Sequence, residues 1–255
     1  MRVAQACTNC GNTFTRAFCN ECGQKITHRI TMAHLGHDIV HAFTHADKGF
    51  FFMMIQLFLR PGIVAREYII DGKRKKYFMP FQYILIIGTI AAFVVANSHF
   101  IEHTTQALGG AGQYSARQMA FMQKINYYQS KYYNLMILAQ LPFYALASKW
   151  VFRRQGLNFA EHLTLQTFIT AQAALIAMLI LLSVFITGNS GGSLLGIMAV
   201  TTALYQVFAY VQFFKAFTFK GFLKSIGVNI LGLGFFVLFV SVIMLIIGVA
   251  TNAFN

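Results

Sequence analysis

The chain has 255 residues, of which 57% are hydrophobic and only 11% are charged. Soluble domains carry about 25% charged residues, so this composition predicts an integral membrane protein. The net charge of +13 raises the question of nucleic-acid binding, but eleven of the twenty lysines and arginines precede residue 77. The others lie mostly between apolar runs, which is typical of the positive-inside rule, and we expect no nucleic-acid partner.

All four cysteines lie in the first predicted domain, residues 1–30, within two Cys-x-x-Cys-Gly motifs. Cys7 and Cys10 form one pair, and Cys19 and Cys22 form the other. This spacing predicts a zinc ribbon with one structural Zn²⁺ per chain, folded largely by its metal. Two disulfides are the alternative, which a reducing cytoplasmic location disfavours, and iron is the minor metal alternative.

Histidines recur at helical spacing in the next segment, residues 31–48, which predicts an amphipathic helix. Five polar side chains share about a third of its circumference: His34, His37, Asp38, His41 and His45. One interpretation of this histidine stripe is a second metal site or a pH sensor. The other is a polar face that happens to use histidine, and it is favoured because the pairs match no specifying motif.

A short apolar run separates the histidine stripe from a basic segment. Residues 50–59 are too few to cross a bilayer, which takes about twenty residues. We expect an interfacial or re-entrant helix that stops at Arg60-Pro61-Gly62, because proline and glycine break helices. This run belongs to the second predicted domain, residues 31–80.

The basic hinge, residues 60–80, comes directly before the first predicted span. Its charge predicts a cytoplasmic N-terminus and an attraction to anionic headgroups of about 1 kcal/mol per basic residue. We predict an anion- or headgroup-binding surface formed by Arg60, Arg66, Lys73, Arg74 and Tyr77. The alternative is that these residues only set the topology.

Several motifs in one order resemble a known family. Two CxxCG motifs are followed by Arg-Ile-Thr at 29–31, Asp-Lys-Gly-Phe at 47–50, Arg-Pro-Gly at 60–62 and GKRKKYFMP at 72–80. This order resembles an uncharacterised bacterial membrane family, known only as a domain of unknown function, with an N-terminal zinc ribbon. The resemblance covers residues 7–80 and implies that architecture together with several membrane helices. It brings no established activity.

The third predicted domain, residues 81–255, is a bundle of five transmembrane helices, so the fold class is an all-α membrane protein with a small ribbon. The spans are placed near 81–100, 133–152, 164–187, 193–214 and 226–250. Basic residues follow the second span and precede the fifth, which predicts a multi-pass protein of the bacterial inner membrane. The N-terminus is then cytoplasmic and the C-terminus periplasmic, with a surface helix at 115–131 outside.

Three functions compete for this architecture. A transporter, channel or lipid-handling protein with a headgroup site is preferred, because an anchor alone would need only one span. A membrane-anchored ribbon that docks a cytoplasmic protein is second. An enzyme acting on lipid, using Glu161, His162 or the histidine stripe, is last, since the motifs of hydrolases and nucleotide-binding enzymes are absent. We expect membrane lipids, chiefly anionic ones, as partners, and a homo-oligomer is a further hypothesis.

Overall fold

The computed structural model describes residues 4–26, 29–32, 49–98, 116–187 and 193–250. Its N-terminal head contains two short antiparallel strands, β1 (Gln5–Ala6) and β2 (Thr13–Phe14). The described helices are α1 (Phe50–Leu59), α2 (Pro61–Ile69), α3 (Pro80–Ser98), α4 (Ala116–Lys131), α5 (Tyr133–Val151), α6 (Phe159–Thr187), α7 (Ser193–Phe213) and α8 (Phe219–Ala250). The fold is therefore mostly helical with a small cysteine-bearing head, as predicted.

Four of the described helices are long and apolar enough to cross a membrane: α3, α6, α7 and α8. This identifies a membrane protein. The remaining predicted span, the second one at 133–152, corresponds to α5, a helix of 19 residues whose apolar sequence is diluted by Asn134, Gln140 and Lys149. Helix α5 packs against α6 and α8, but the count of five spans stays a prediction. The predicted surface segment at 115–131 is helical as α4, and its side of the membrane is untested.

Helices α1 and α2 form a broken pair beside the candidate spans. Helix α1 ends at Leu59 as predicted, because Pro61 cannot continue it, and the same proline opens α2 at its first position. The Arg60 backbone between the two helices is non-helical, with φ −149° and ψ 60°. Helix α2 packs along α7 and α6, so the basic hinge begins with an ordered helix held against the bundle.

The first half of α6 forms the polar centre of the bundle. Five of its polar side chains are buried: Thr164, Gln166, Thr167, Thr170 and Gln172. Tyr210 of α7 donates a hydrogen bond to Gln166, and Tyr83 of α3 donates one to Gln172. Amides and hydroxyls therefore connect α6 to its neighbours, which is a common way to join helices in membranes.

The close packing of α2 on α7 requires a glycine at position 62. A Cβ atom there would collide with the Ala209 carbonyl oxygen, the Gln212 Cβ and the Phe213 backbone nitrogen. The Gly62 N–H also donates to the Gln212 side chain, at 3.1 Å. Two of the three obstacles are backbone atoms, which cannot rotate away.

We predict that Gly62→Ala destabilises the protein by about 1–3 kcal/mol, the usual cost of overpacking a tight contact. The thermal unfolding midpoint of the purified protein in detergent would report the loss. Gly234→Ala in α8 is the matched control, because a Cβ there meets no atom within 4 Å. The control should be neutral or slightly stabilising, since alanine favours helices over glycine. Equal midpoints for the two variants would contradict the tight contact.

Candidate functional site

The four cysteines of the head converge on one point. Their sulfur atoms all lie within 4.8 Å of one another. The Cys7–Cys22 and Cys10–Cys19 sulfur pairs are each 3.6 Å apart, too far for a disulfide bond of about 2.05 Å. A tetrahedral ion held by thiolates at about 2.3 Å needs sulfur separations of about 3.8 Å. The cluster can therefore bind a metal ion.

The two cysteine motifs fold alike. The backbone N–H of Gly11 donates to the Cys7 carbonyl at 2.8 Å, and that of Gly23 donates to the Cys19 carbonyl at 3.0 Å. Such turns aim backbone N–H groups at sulfur. The N–H of Gln24, together with the Asn9 side chain, lowers the pKa of the Cys22 thiol to about 6. The pKa of Cys10 is raised instead: the Asn12 N–H lowers it, but desolvation and the neighbouring thiols outweigh this. A thiol with the lowered pKa of Cys22 is largely thiolate at neutral pH, the form that binds metal.

Gln24 joins the head to the basic hinge. Its side chain is 3% exposed and bonds to two backbone groups of the turn after α2. The amide nitrogen donates to the Gly72 carbonyl at 2.7 Å, and the amide oxygen accepts from the Lys75 N–H at 2.8 Å. The Thr8 hydroxyl donates to the same Gly72 carbonyl at 3.2 Å. The head is therefore docked on the hinge rather than carried on a free linker.

Arg29 makes a second connection, from the end of the head to the start of α6. Its guanidinium donates to both carboxylate oxygens of Glu161, at 2.7 and 2.9 Å, and to the Gly156 carbonyl at 2.6 Å. The hydrogen bonds and charge of Glu161 raise the pKa of Arg29. Such a fork-to-fork pair is one of the strongest and most directional ionic contacts in proteins.

Glu161 is fixed by the helix that it belongs to. The Asn158 N–H donates to its carboxylate at 2.7 Å, while the Glu161 N–H donates to the Asn158 side chain at 2.9 Å. This reciprocal arrangement is a capping box at the start of α6. The predicted span begins at residue 164, five residues after the start of α6. The Asn-x-x-Glu spacing at 158–161 is the sequence signal that marks the actual helix start.

A cavity of about 550 Å³ lies where the head, the hinge, α6 and α7 meet. Charged side chains line it from several segments of the chain: Arg29, Arg66, Asp71, Arg74 and Glu161. Its other walls are Thr8, Ile69, Ile70, Gly72, Gln155, Gly156, Leu157, Phe213 and Phe214. The volume suits a small ligand or a lipid headgroup.

The hinge residues predicted to bind anions divide into two groups. Arg66 and Arg74 line the cavity, whereas Arg60, Lys73 and Tyr77 are outside its lining. Arg66 donates to the carbonyl of Phe213, the last residue of α7, at 3.0 Å, and Arg74 lies 5.9 Å from the ring centre of Tyr68. Arg60 donates to Gln56 within α1.

Lys73 and Tyr77 contact Glu67 instead. The Glu67 carboxylate lies 2.7 Å from the Lys76 ammonium and 3.7 Å from that of Lys73, and it accepts from the Tyr77 hydroxyl. Partial burial raises the pKa of Glu67. The hydrogen bonds from Lys76 and Tyr77 and the charges of both lysines outweigh this effect, so the pKa is lowered overall. This ion cluster stabilises the hinge turn.

The other predicted residues are those of the histidine stripe and the pair Glu161-His162. His34, His37, Asp38, His41 and His45 lie outside the described residues. His162 is 1% exposed, bonds through Nδ1 to the Ser148 hydroxyl at 2.8 Å, and is outside the cavity lining. Its neighbour Glu161 does line the cavity, so the two residues face different surroundings.

Comparisons with known proteins reach only the middle of the chain. Residues 47–92 match a family described as "Protein of unknown function (DUF3667)". The matched segment includes α1, α2, the hinge and most of α3, and the resemblance to an uncharacterised family is confirmed there. The ribbon lies outside the match, so its place in the family stays a prediction. No curated protein and no solved structure matches the chain.

We predict that the purified protein contains one metal ion per chain and that Cys10→Ser loses it. The variant should leave the membrane helices folded, because each satisfies its own backbone hydrogen bonds. Elemental analysis gives the metal content, and circular dichroism reports the helices. Mass spectrometry that finds two disulfides in the wild-type protein, without metal, would contradict the assignment.

A pH-dependent contribution to stability should come from Glu67. Its folded-state pKa is lowered, so the contribution is complete above the ordinary glutamate pKa of about 4.3 and disappears as the pH falls through the lower folded value. Glu67→Gln should therefore lower the thermal midpoint at pH 7, and the gap from wild type should close on acidification below about pH 4. A gap that persists unchanged into that range would rule out ionic stabilisation.

Proposed function

We propose that this protein handles membrane lipids and binds the phosphate of a lipid headgroup in the cavity beneath the head. The observation that carries the proposal is the convergence of Arg66 and Arg74, beside the Arg29–Glu161 pair, on one cavity at the ends of candidate membrane helices. Arginine suits this role because its planar fork donates two parallel hydrogen bonds to a phosphate.

The position of the cavity supports a lipid over a soluble ligand. Arg66 bonds to the last residue of α7, and Glu161 belongs to the first turn of α6, so the cavity lies level with the ends of two candidate spans. Ile70 adds apolar surface at its edge and is 44% exposed. A headgroup at this level can leave its acyl chains beside the bundle.

The interior of the bundle gives less support to a proton- or ion-coupled transporter. Among the described residues, the buried ionisable acids, bases and histidines are Glu161 and His162, both at the start of α6. Coupled transport generally uses an ionisable group at membrane depth. Lipid binding or lipid movement along the bundle is therefore the favoured member of the transporter, channel and lipid-handling class.

We also propose that the metal is Zn²⁺ and that the head faces the bacterial cytoplasm. A site of four thiolates without an open position fits structural zinc. The basic residues of the hinge and those around 149–154 and 215–224 occur at helix ends that this orientation places inside. Zinc then acts on function only indirectly, because the folded head carries Thr8 and Arg29 to the cavity.

Conservative arginine exchange tests the binding site. We expect Arg66→Lys and Arg74→Lys to weaken binding of an anionic phospholipid by about tenfold, since lysine keeps the charge but loses the fork. Arg154→Lys is the matched control, because Arg154 is exposed and outside the cavity lining. Native mass spectrometry of the detergent-purified protein with short-chain phosphatidylglycerol measures binding. Equal binding by all three variants would mean that the hinge only sets topology.

Reporter fusions test the orientation. With the N-terminus inside and an odd number of crossings, alkaline phosphatase fused after residue 255 should be active in the periplasm, and a fluorescent protein there should be dark. Fluorescence without phosphatase activity would place the C-terminus in the cytoplasm. That result would imply an even number of crossings, with α5 as the helix that does not span.

The membrane-anchored interaction module remains a second candidate because of one exposed aromatic side chain. Phe18 is 57% exposed on the head, beside Arg16 and a shallow cavity of about 350 Å³. Aromatic and arginine side chains are frequent anchors of protein interfaces. If Phe18→Ala reduces function in cells while lipid binding by the protein stays normal, the result favours this candidate.

A further inference from the structure

The charged groups that line the cavity differ in whether they are already neutralised. Arg29 and Glu161 neutralise each other through two hydrogen bonds of 2.7 and 2.9 Å. Glu161 also accepts from the Asn158 N–H. This pair holds the cavity together and has little remaining capacity for a ligand. The ligand-facing charges are therefore those of the hinge.

Arg66 carries a positive charge that its protein partner does not compensate. It donates to the Phe213 carbonyl, a neutral acceptor. Within the described ranges, no carboxylate lies within the 4.0 Å ion-pair distance of Arg66. One Nη1 bond leaves further N–H donors of its fork for a ligand. An oxyanion in the cavity would supply both the charge and the acceptors.

Within the part of the chain that the structure describes, Asp71 contributes a negative charge without a cationic partner to the same cavity. Its side chain is exposed in the turn after α2, and its carboxylate has no ion pair or hydrogen bond with the residues that the structure describes. The nearby lysines 73 and 76 are engaged by Glu67. A carboxylate left without a cation in a largely basic segment is available to a cationic group.

We propose that the cavity recognises a phosphate joined by a short spacer to a primary ammonium group. Arg66, beside Arg74, holds the phosphate, and Asp71 holds the ammonium. The inference rests on the proposed headgroup site and names its substrate class. The uncompensated charge of Arg66 and the carboxylate of Asp71, which line the same cavity, match a ligand with two charges better than a simple anion.

The chemistry of Asp71 also predicts which amines are accepted. A primary ammonium donates hydrogen bonds to a carboxylate, whereas a quaternary ammonium has no N–H to donate. Quaternary groups are usually held by cages of aromatic faces, and among the described residues the aromatic ones in the lining are Phe213 and Phe214. The shared chemistry is phosphoethanolamine, either as a phospholipid headgroup or as the free compound.

Competition binding tests the inference with the full-length protein in detergent. Native mass spectrometry would compare retention of short-chain phosphatidylethanolamine, phosphatidylglycerol and phosphatidylcholine, and calorimetry would measure free phosphoethanolamine. We expect the wild type to prefer phosphatidylethanolamine. Asp71→Asn should reduce that preference over phosphatidylglycerol about tenfold, which corresponds to ~1.4 kcal/mol. Asp71→Glu, which keeps the carboxylate, should retain part of the preference for phosphatidylethanolamine. The control Glu21→Gln, at an exposed acid, should leave the preference unchanged.

The outcomes separate this inference from the proposed function. Equal, Arg66-dependent binding of phosphatidylethanolamine and phosphatidylglycerol would overturn the ammonium site and leave the headgroup site standing. Retention of no lipid, or retention that Arg66→Lys leaves unchanged, would overturn both. Free phosphoethanolamine binding as tightly as the lipid would identify the soluble compound as the ligand. An unaltered preference in Asp71→Asn, with a normal thermal midpoint, would also overturn the role of Asp71.

Discussion

The break between α1 and α2 imposes the constraint on which the arrangement of the bundle depends. Helix ends leave backbone groups without partners, and a membrane offers no water to satisfy them. The bundle supplies these partners from side chains. Tyr205 donates to the Leu57 carbonyl at 3.1 Å, and Gln212 accepts from the Gly62 N–H at the start of α2. The Gln172 amide also donates to the Met54 carbonyl inside α1, at 3.4 Å. The polar residues of α6 and α7 therefore fix where α1 and α2 lie.

That placement leads directly to the cavity. With Gly62 pressed against α7, the next turn of α2 brings Arg66 to the exposed carbonyl at the end of α7, where a cation is favoured by the helix dipole. Gly72 then adopts a positive φ of 70°, and the turn presents its carbonyl to Gln24. The head covers the space between the hinge and the bundle, and this space is the cavity.

Local pattern was enough to predict the elements but not their contacts. The cysteine cluster and the bounds of α1 follow from short-range spacing. The bonds from Gln24 to Gly72 and from Arg29 to Glu161 join residues 48 and 132 positions apart, and no local rule selects such partners. The hinge was predicted as one surface, but helical turns of about 100° per residue direct neighbouring side chains apart. Arg66 therefore lines the cavity, whereas Glu67 forms ion pairs with Lys73 and Lys76.

In the proposed function, the same contacts connect the metal site of the head to the ligand site. The head is too small to fold on apolar burial alone, so a bound metal would supply much of its stability. Two of its side chains, Thr8 and Arg29, line the cavity, and Arg29 is tied to the cap of α6 through Glu161. Without a folded head, Glu161 would remain as an uncompensated carboxylate facing Arg66 and Arg74. It would then compete for the arginines of the proposed phosphate site, so in that proposal the head favours binding by neutralising a negative charge as well as by enclosing the ligand.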